Sequence, residues 1–287
     1  MKPVYYLLLI LSIVLETTKN VFSNTFSKDI LKNNTDIYKF NTFMYLGSAA
    51  VLSFFGIKAS SIFTVLLAFL FAIAIWFNQI FFLKALQYGS LSFSNFIQGS
   101  GLVIPLIYGI FVWQEKISLL QMLLILILIV AMAIALGVKK GQTNTKWLLF
   151  SFLAMLFMGV IGILQATHQT SSHQDELFPF LLIAFIFTVI LNALSWFITE
   201  KKQPSGYKIV SRALPMAISC GVFMGAVHIL NLFLAGVCPK VIFFPVVNGG
   251  LIFVTLLAAV IFFKEKLVLK QWIAIIIGII SLSLLGV

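Results

Sequence analysis

Residues 85–121, ALQYGSLSFSNFIQGSGLVIPLIYGIFVWQEKISLLQ, return 150 positions later as AGVCPKVIFFPVVNGGLIFVTLLAAVIFFKEKLVLKQ at 235–271, without a gap. Ala85 falls on Ala235, Phe93 on Phe243, Gly99 on Gly249 and Gln121 on Gln271, and the charged pair Glu115-Lys116 falls on Glu265-Lys266. Matched leucines mean little in so apolar a chain. A charged pair, a glycine and a glutamine kept at one offset mark an internal duplication.

The duplication sits in a chain built for a bilayer. Of 287 residues, 61% are hydrophobic and 9% charged, with a mean hydropathy of +1.12, whereas soluble domains carry about 25% charged residues. The charges lie in short gaps between apolar runs of about 20 residues, the length that crosses a membrane as a helix. Ten such windows are expected as helices: 4–25, 37–57, 62–86, 90–113, 118–138, 147–169, 178–199, 210–236, 240–263 and 267–286. The fold expected is an all-α membrane protein of ten transmembrane helices. Residues 1–138 and 139–287 form two five-helix repeats of one integrated membrane domain. Five is odd, so the second repeat enters the membrane with the opposite orientation, an inverted repeat of the kind that places a site between two halves.

The net charge of +11 does not point to nucleic acid, because lysines and arginines are scattered over many connections with no dense run. They serve better as orientation signals. Fourteen of them flank the connections after helices 1, 3, 5, 7 and 9, against Lys2, Lys58, Lys116 and Lys240 on the other side. The positive-inside rule then puts both termini outside the cytoplasm. Lys2 before an apolar stretch resembles a signal peptide, but Glu16 and Lys19 stand where small cleavage-site residues belong. Cys220 and Cys238 have no metal-ligand spacing and are read as small apolar residues.

Within the first apolar run, Ser12, Glu16, Lys19, Asn20 and Ser23 recur at helical spacing and make one polar stripe. A charged group at mid-bilayer costs about 2.5–3.5 kcal/mol on insertion scales, so this stripe should face the bundle or a wet cavity. Three readings stand side by side for Glu16 and Lys19: a substrate or proton site, a structural pair at i and i+3, or Lys19 snorkelling to the interface. The 150-residue shift lays Asn78 on His228 and Gln98 on Asn248, two polar pairs suited to a site shared between halves. Asn231 lies one turn beyond His228, Gln165 lies on helix 6, and Trp76 and Trp196 can wall a flat or cationic solute. The bland alternative for each amide is a helix-helix hydrogen bond, and for His228 a neutral, satisfied imidazole.

Gly99, Gly101 and Pro105, with Gly249 and Gly250 opposite, permit a bend or a close helix contact at membrane depth. Glu115-Lys116 and Glu265-Lys266 read as turn caps and interface anchors. His168, His173, Asp175 and Glu176 crowd the HQTSSHQDE connection, but their spacing fits no standard metal site and a solvated loop is the expectation. No nucleophile elbow, Walker motif or zincin motif occurs, so no enzymatic activity, metal or cofactor is expected.

The repeated unit, with its A-L-x-Y, its small-residue helix and its W-x-E-K turn, resembles the drug/metabolite transporter superfamily, in particular its ten-helix EamA-type branch. The likeness covers nearly the whole chain. It implies an inverted-repeat carrier of small metabolites, amino acids or toxic organic compounds, working by proton coupling, exchange or facilitated diffusion, with cytoplasmic termini, opposite to the charge tally. LSIVLETT also resembles the first helix of the small multidrug resistance proteins, which implies that Glu16 binds protons and cations competitively.

The expectation is a multi-pass carrier in a cell or inner membrane that moves a small organic solute by alternating access. Its cavity is lined by helices 1, 3, 4, 6, 8 and 9. Its partners are the solute, the lipid bilayer and candidate protons, without nucleic acid, and a working monomer is plausible because the duplication supplies both halves. The rival reading is a non-transporting scaffold or an accessory subunit of a lipid-modifying system.

Overall fold

The computed structural model describes residues 3–55, 60–112, 118–136, 144–206, 212–237 and 240–284. Regular structure among the described residues is entirely helical. The helices are α1 (Pro3–Asp29), α2 (Asn34–Ser53), α3 (Ile62–Tyr88), α4 (Leu91–Gly99), α5 (Val103–Phe111), α6 (Leu119–Leu136), α7 (Thr145–Gln169), α8 (Leu177–Glu200), α9 (Ala213–Val237), α10 (Lys240–Phe263) and α11 (Leu269–Leu284). Each expected apolar window therefore holds a helix, and the fourth holds two. Among the described residues, five stretches are long and apolar enough to cross a membrane: Val4–Asp29, Ile62–Tyr88, Thr145–Gln169, Gln174–Glu200 and Ala213–Asn231. Large side chains such as Ile62, Phe111, Leu119 and Leu269 point outward, as lipid permits and water does not.

Two helix ends differ from the sequence reading for local reasons. Helix α1 runs on to Asp29 because Ser23, Asn24 and Ser27, polar enough to suggest a loop, are buried in the bundle. Helix α2 begins at Asn34 rather than 37, because Asn33 and Asp36 form a reciprocal capping box that closes the first turn. Asp36 is fully buried and also accepts from Ser205 Oγ (2.9 Å) and the Gly206 N–H (2.7 Å). The α1–α2 link is thereby tied to the α8–α9 link.

In the bundle α3 packs on α7 and α8, α2 on α8 and α9, α1 on α9 and α10, α4 on α7 and α10, and α6 on α11. The largest core joins Phe26 and Phe40, stacked at 3.9 Å, to Tyr45, Phe71, Phe180 and Phe185. Helix association in lipid lacks a hydrophobic drive and relies on close backbone approach. Gly221 supplies it between α2 and α9, for a Cβ there would overlap the Met44 carbonyl. Ser48 Oγ, one turn on, donates to the Gly221 carbonyl at 2.9 Å.

Candidate functional site

The polar stripe of α1 is spent on three neighbouring helices. Ser12 Oγ donates to Asn231 Oδ1 on α9 at 2.7 Å, Thr17 meets Thr255 on α10 at 3.4 Å, and Asn20 Nδ2 donates to Asn95 Oδ1 on α4 at 2.9 Å. Between these contacts Lys19 Nζ donates to Glu16 Oε1 at 2.5 Å. The Lys19 side chain is 10% exposed and folded back onto Glu16, so the snorkelling alternative is set aside. Glu16 keeps 22% of its side chain exposed. A carboxylate offers about four lone-pair positions and Lys19 occupies one, so Glu16 has acceptor capacity left for a cation, a proton or a donor group.

Other side chains gather around this pair. Helix α9 packs on both α1 and α2, and α2 packs on α8. Cys220 Sγ donates to the Lys19 carbonyl at 3.7 Å. Phe185 of α8 lies edge-on to the His228 ring at 5.4 Å and 5.7 Å from Tyr45. The pair thus lies on the face of α1 that packs against α9, and His228 of α9 and Tyr45 of α2 flank Phe185 on the helices around it.

The remaining expected residues divide. Asn78 Nδ2 donates to the Ala154 carbonyl on α7 at 2.7 Å, and Gln98 Nε2 donates to Asn78 Oδ1 at 3.0 Å. These two amides act as helix-helix bonds, and among the described residues neither bonds to the Glu16–Lys19 pair. Trp76 stacks with Tyr38 at 6.2 Å and abuts Phe77 at 4.7 Å. Trp196 lies one turn from the end of α8, where Nε1 donates to Glu200 at 2.8 Å and Lys39 Nζ lies 5.7 Å over its ring. Gln165 is half-buried on α7. The side chain of Asn248, the segment holding Glu115-Lys116, and Cys238 lie outside the described residues.

The glycine-rich segment of helix 4 departs from regular α-helix. A 3-10 turn at Ser100–Leu102 separates α4 from α5, and Gly101 lies so close to α7 that a Cβ would stand 2.5 Å from the Met155 carbonyl. The start of α4 is capped from the far half of the chain. Glu265 accepts from the Leu91 N–H (2.6 Å), the Ser92 N–H (3.4 Å) and Ser92 Oγ (2.5 Å). Lys28 at the end of α1 donates to the Gly89 carbonyl at 2.7 Å.

The HQTSSHQDE connection is more ordered than a solvated loop. Glu176 accepts from the Ser61 N–H at 2.9 Å and Ser61 Oγ at 2.8 Å, closing the N-terminus of α3, and His168 Nε2 meets Thr64 Oγ1 at 3.2 Å. Among the described residues no His, Cys, Asp and Glu group is arranged to hold a metal.

Asn95, Tyr45 and Phe185 were missed by sequence reasoning. Asn95 falls on Pro245 in the repeat and so lacks the paired polar signal that marked Asn78 and Gln98. Its place within the small-residue run SFSNF was the one available hint.

No protein-family model and no curated protein matches the chain. A solved crystal structure of a protein is similar to it with a TM-score of 0.66, covering 99% of this chain and 96% of the other at 12% identity. That likeness concerns the fold alone: a helical bundle of this topology exists as a solved structure.

Proposed function

We propose that this chain is a secondary transporter that moves a small organic solute, chemically unchanged, across a cell or inner membrane by alternating access, a ten-helix inverted-repeat carrier of the EamA type. The observation that carries the reading is the Glu16–Lys19 pair on the α1 face that packs against α9, with the carboxylate still partly exposed. Glu16 is assigned cation or proton recognition. Lys19 holds Glu16 in place and offers a donor to an anionic group of the solute, and His228, Asn231, Asn20 and Tyr45 supply polar surroundings.

Helix packing supports the inverted repeat. Exchanging α1 for α7, α2 for α8, α3 for α9, α4–α5 for α10 and α6 for α11 turns the α3–α7 contact into α9–α1, and α2–α9 into α8–α3. The α2–α8, α4–α10 and α6–α11 contacts map onto themselves. The exchange is incomplete: α1 packs on α3 and α10 on α11, while among the described residues neither α7 with α9 nor α4–α5 with α6 shows comparable packing. A carrier closed at one face and open at the other has this kind of asymmetry. Lys28 on Gly89 and Glu265 on α4 would then be bonds of the closed face.

The test is flux. Purified protein is screened by thermal shift against amines, amino acids, nucleosides and cationic dyes, since a ligand of the folded state raises the melting point, and the hits are followed in proteoliposomes. The wild type is expected to move at least one hit, and Glu16→Gln to lose or uncouple that flux while keeping its helical content. A folded wild type that moves no hit contradicts the reading.

A further inference from the structure

Along the seam between α3 and α7 runs a ladder of aromatic rings lying nearly parallel. Phe77 lies 4.9 Å from Phe157, Phe157 5.8 Å from Phe81, Phe81 6.2 Å from Phe150 and Phe150 5.9 Å from Tyr88, with interplanar angles of 20°, 28°, 17° and 21°. The four phenylalanines are partly exposed and Tyr88 is exposed, so each ring of the ladder keeps some uncovered surface. At its outer end stand two cations. Lys84 Nζ lies 5.2 Å over the Phe150 ring and Lys146 Nζ 5.7 Å over the Tyr88 ring. Cation–π contact orients an ammonium without neutralising it, and among the described residues neither lysine is paired with a carboxylate.

The dimensions of this feature match one molecule. From Phe77 to Tyr88 the α3 axis rises about 16 Å, close to half of a hydrocarbon core about 30 Å thick. Tyr88 and Lys146 stand at adjoining ends of two membrane-length helices, Ile62–Tyr88 and Thr145–Gln169, which sets the two ammonium groups at headgroup level. The face they occupy is the lysine-rich one, which the charge tally assigns to the cytoplasmic side, where anionic lipids concentrate. We propose that the α3–α7 seam is a specific site for one anionic phospholipid, with its phosphate between Lys84 and Lys146 and an acyl chain laid along the ring ladder. The site is independent of whether the chain carries a solute.

Thermal unfolding of the purified full chain in detergent, titrated with dioleoylphosphatidylglycerol, dioleoylphosphatidylcholine or inorganic phosphate, tests this. The anionic lipid should raise the melting point at lower mole fraction than the zwitterionic one, and inorganic phosphate should do nothing. A lysine near a membrane surface contributes about fivefold in lipid affinity, so Lys84→Gln with Lys146→Gln should weaken the anionic-lipid response about thirtyfold. The response to phosphatidylcholine should stay unchanged. If the double variant does not fold, Lys146→Gln alone, at the exposed start of α7, should weaken the response about fivefold. Equal response to both lipids, reproduction by inorganic phosphate, or a folded variant that keeps the wild-type preference each overturns the site.

Discussion

Lys19 Nζ and Glu16 Oε1 meet at 2.5 Å on one face of α1, and the ammonium is the more enclosed of the two groups. Removing either partner therefore has unequal consequences. Glu16→Gln leaves a nearly buried ammonium without its counter-charge, which in a fully buried pair costs about 3–5 kcal/mol. Glu16 is 22% exposed, so a smaller loss of about 1–2 kcal/mol is expected here. Glu16→Gln with Lys19→Gln should recover most of it. Thermal unfolding of the two single variants and the double variant decides this, and purely additive losses would show that the pair is not coupled.

Gly221 meets the α2 backbone where no side-chain atom fits. Gly221→Ala should push α2 from α9 and cost about 1–3 kcal/mol, as overpacking does. Gly99→Ala is the control, because a Cβ there would lie 3.4 Å from Ile252 Cδ1, the far end of a flexible side chain. Equal melting points for the two variants would contradict the close-contact account.

Glu265 caps a helix that belongs to the other half of the chain. Glu265→Ala removes a charged cap worth about 1–2 kcal/mol and should expose the first turn of α4. Hydrogen exchange at Leu91 and Ser92 should accelerate, and Glu265→Gln should fall between wild type and Ala. Unchanged protection at both amides would refute the cap.

Asn20 and Asn95 bond at 2.9 Å between two buried side chains. Interhelical polar pairs in membranes contribute about 0.6 kcal/mol on average and up to about 1.7. A double-mutant cycle with Asn20→Ala and Asn95→Ala should give a coupling in that range. A coupling of zero would mean that the amides are placed by the surrounding helices and do not hold them.

Much of this architecture is written in local pattern. The apolar windows became helices because lipid leaves the backbone no other partner than itself, and the period of Ser12, Glu16, Lys19 and Asn20 was enough to mark one working face of α1. The partners of that face were not legible. Tyr45 and Phe185 come together with His228 through the packing of α2 on α8 and α9, a matter of three-dimensional contact that no one-dimensional period records. Asn78 and Gln98 show the opposite case: the repeat marked them as candidates for a site shared between halves, and in the structure Gln98 bonds to Asn78 and Asn78 to α7. The α2 start was missed for another reason, since Asn33 and Asp36 look like loop residues until their reciprocal bonds are seen.

The central claim is that the Glu16 carboxyl group opens onto water reachable from one side of the membrane. Glu16→Cys, in a chain whose Cys220 and Cys238 are replaced by serine, can be treated in sealed vesicles with a charged, membrane-impermeant thiol reagent applied to each face in turn. The account predicts modification from one face, slowed by whichever solute the carrier binds. A folded variant that stays unmodified from both faces would contradict it.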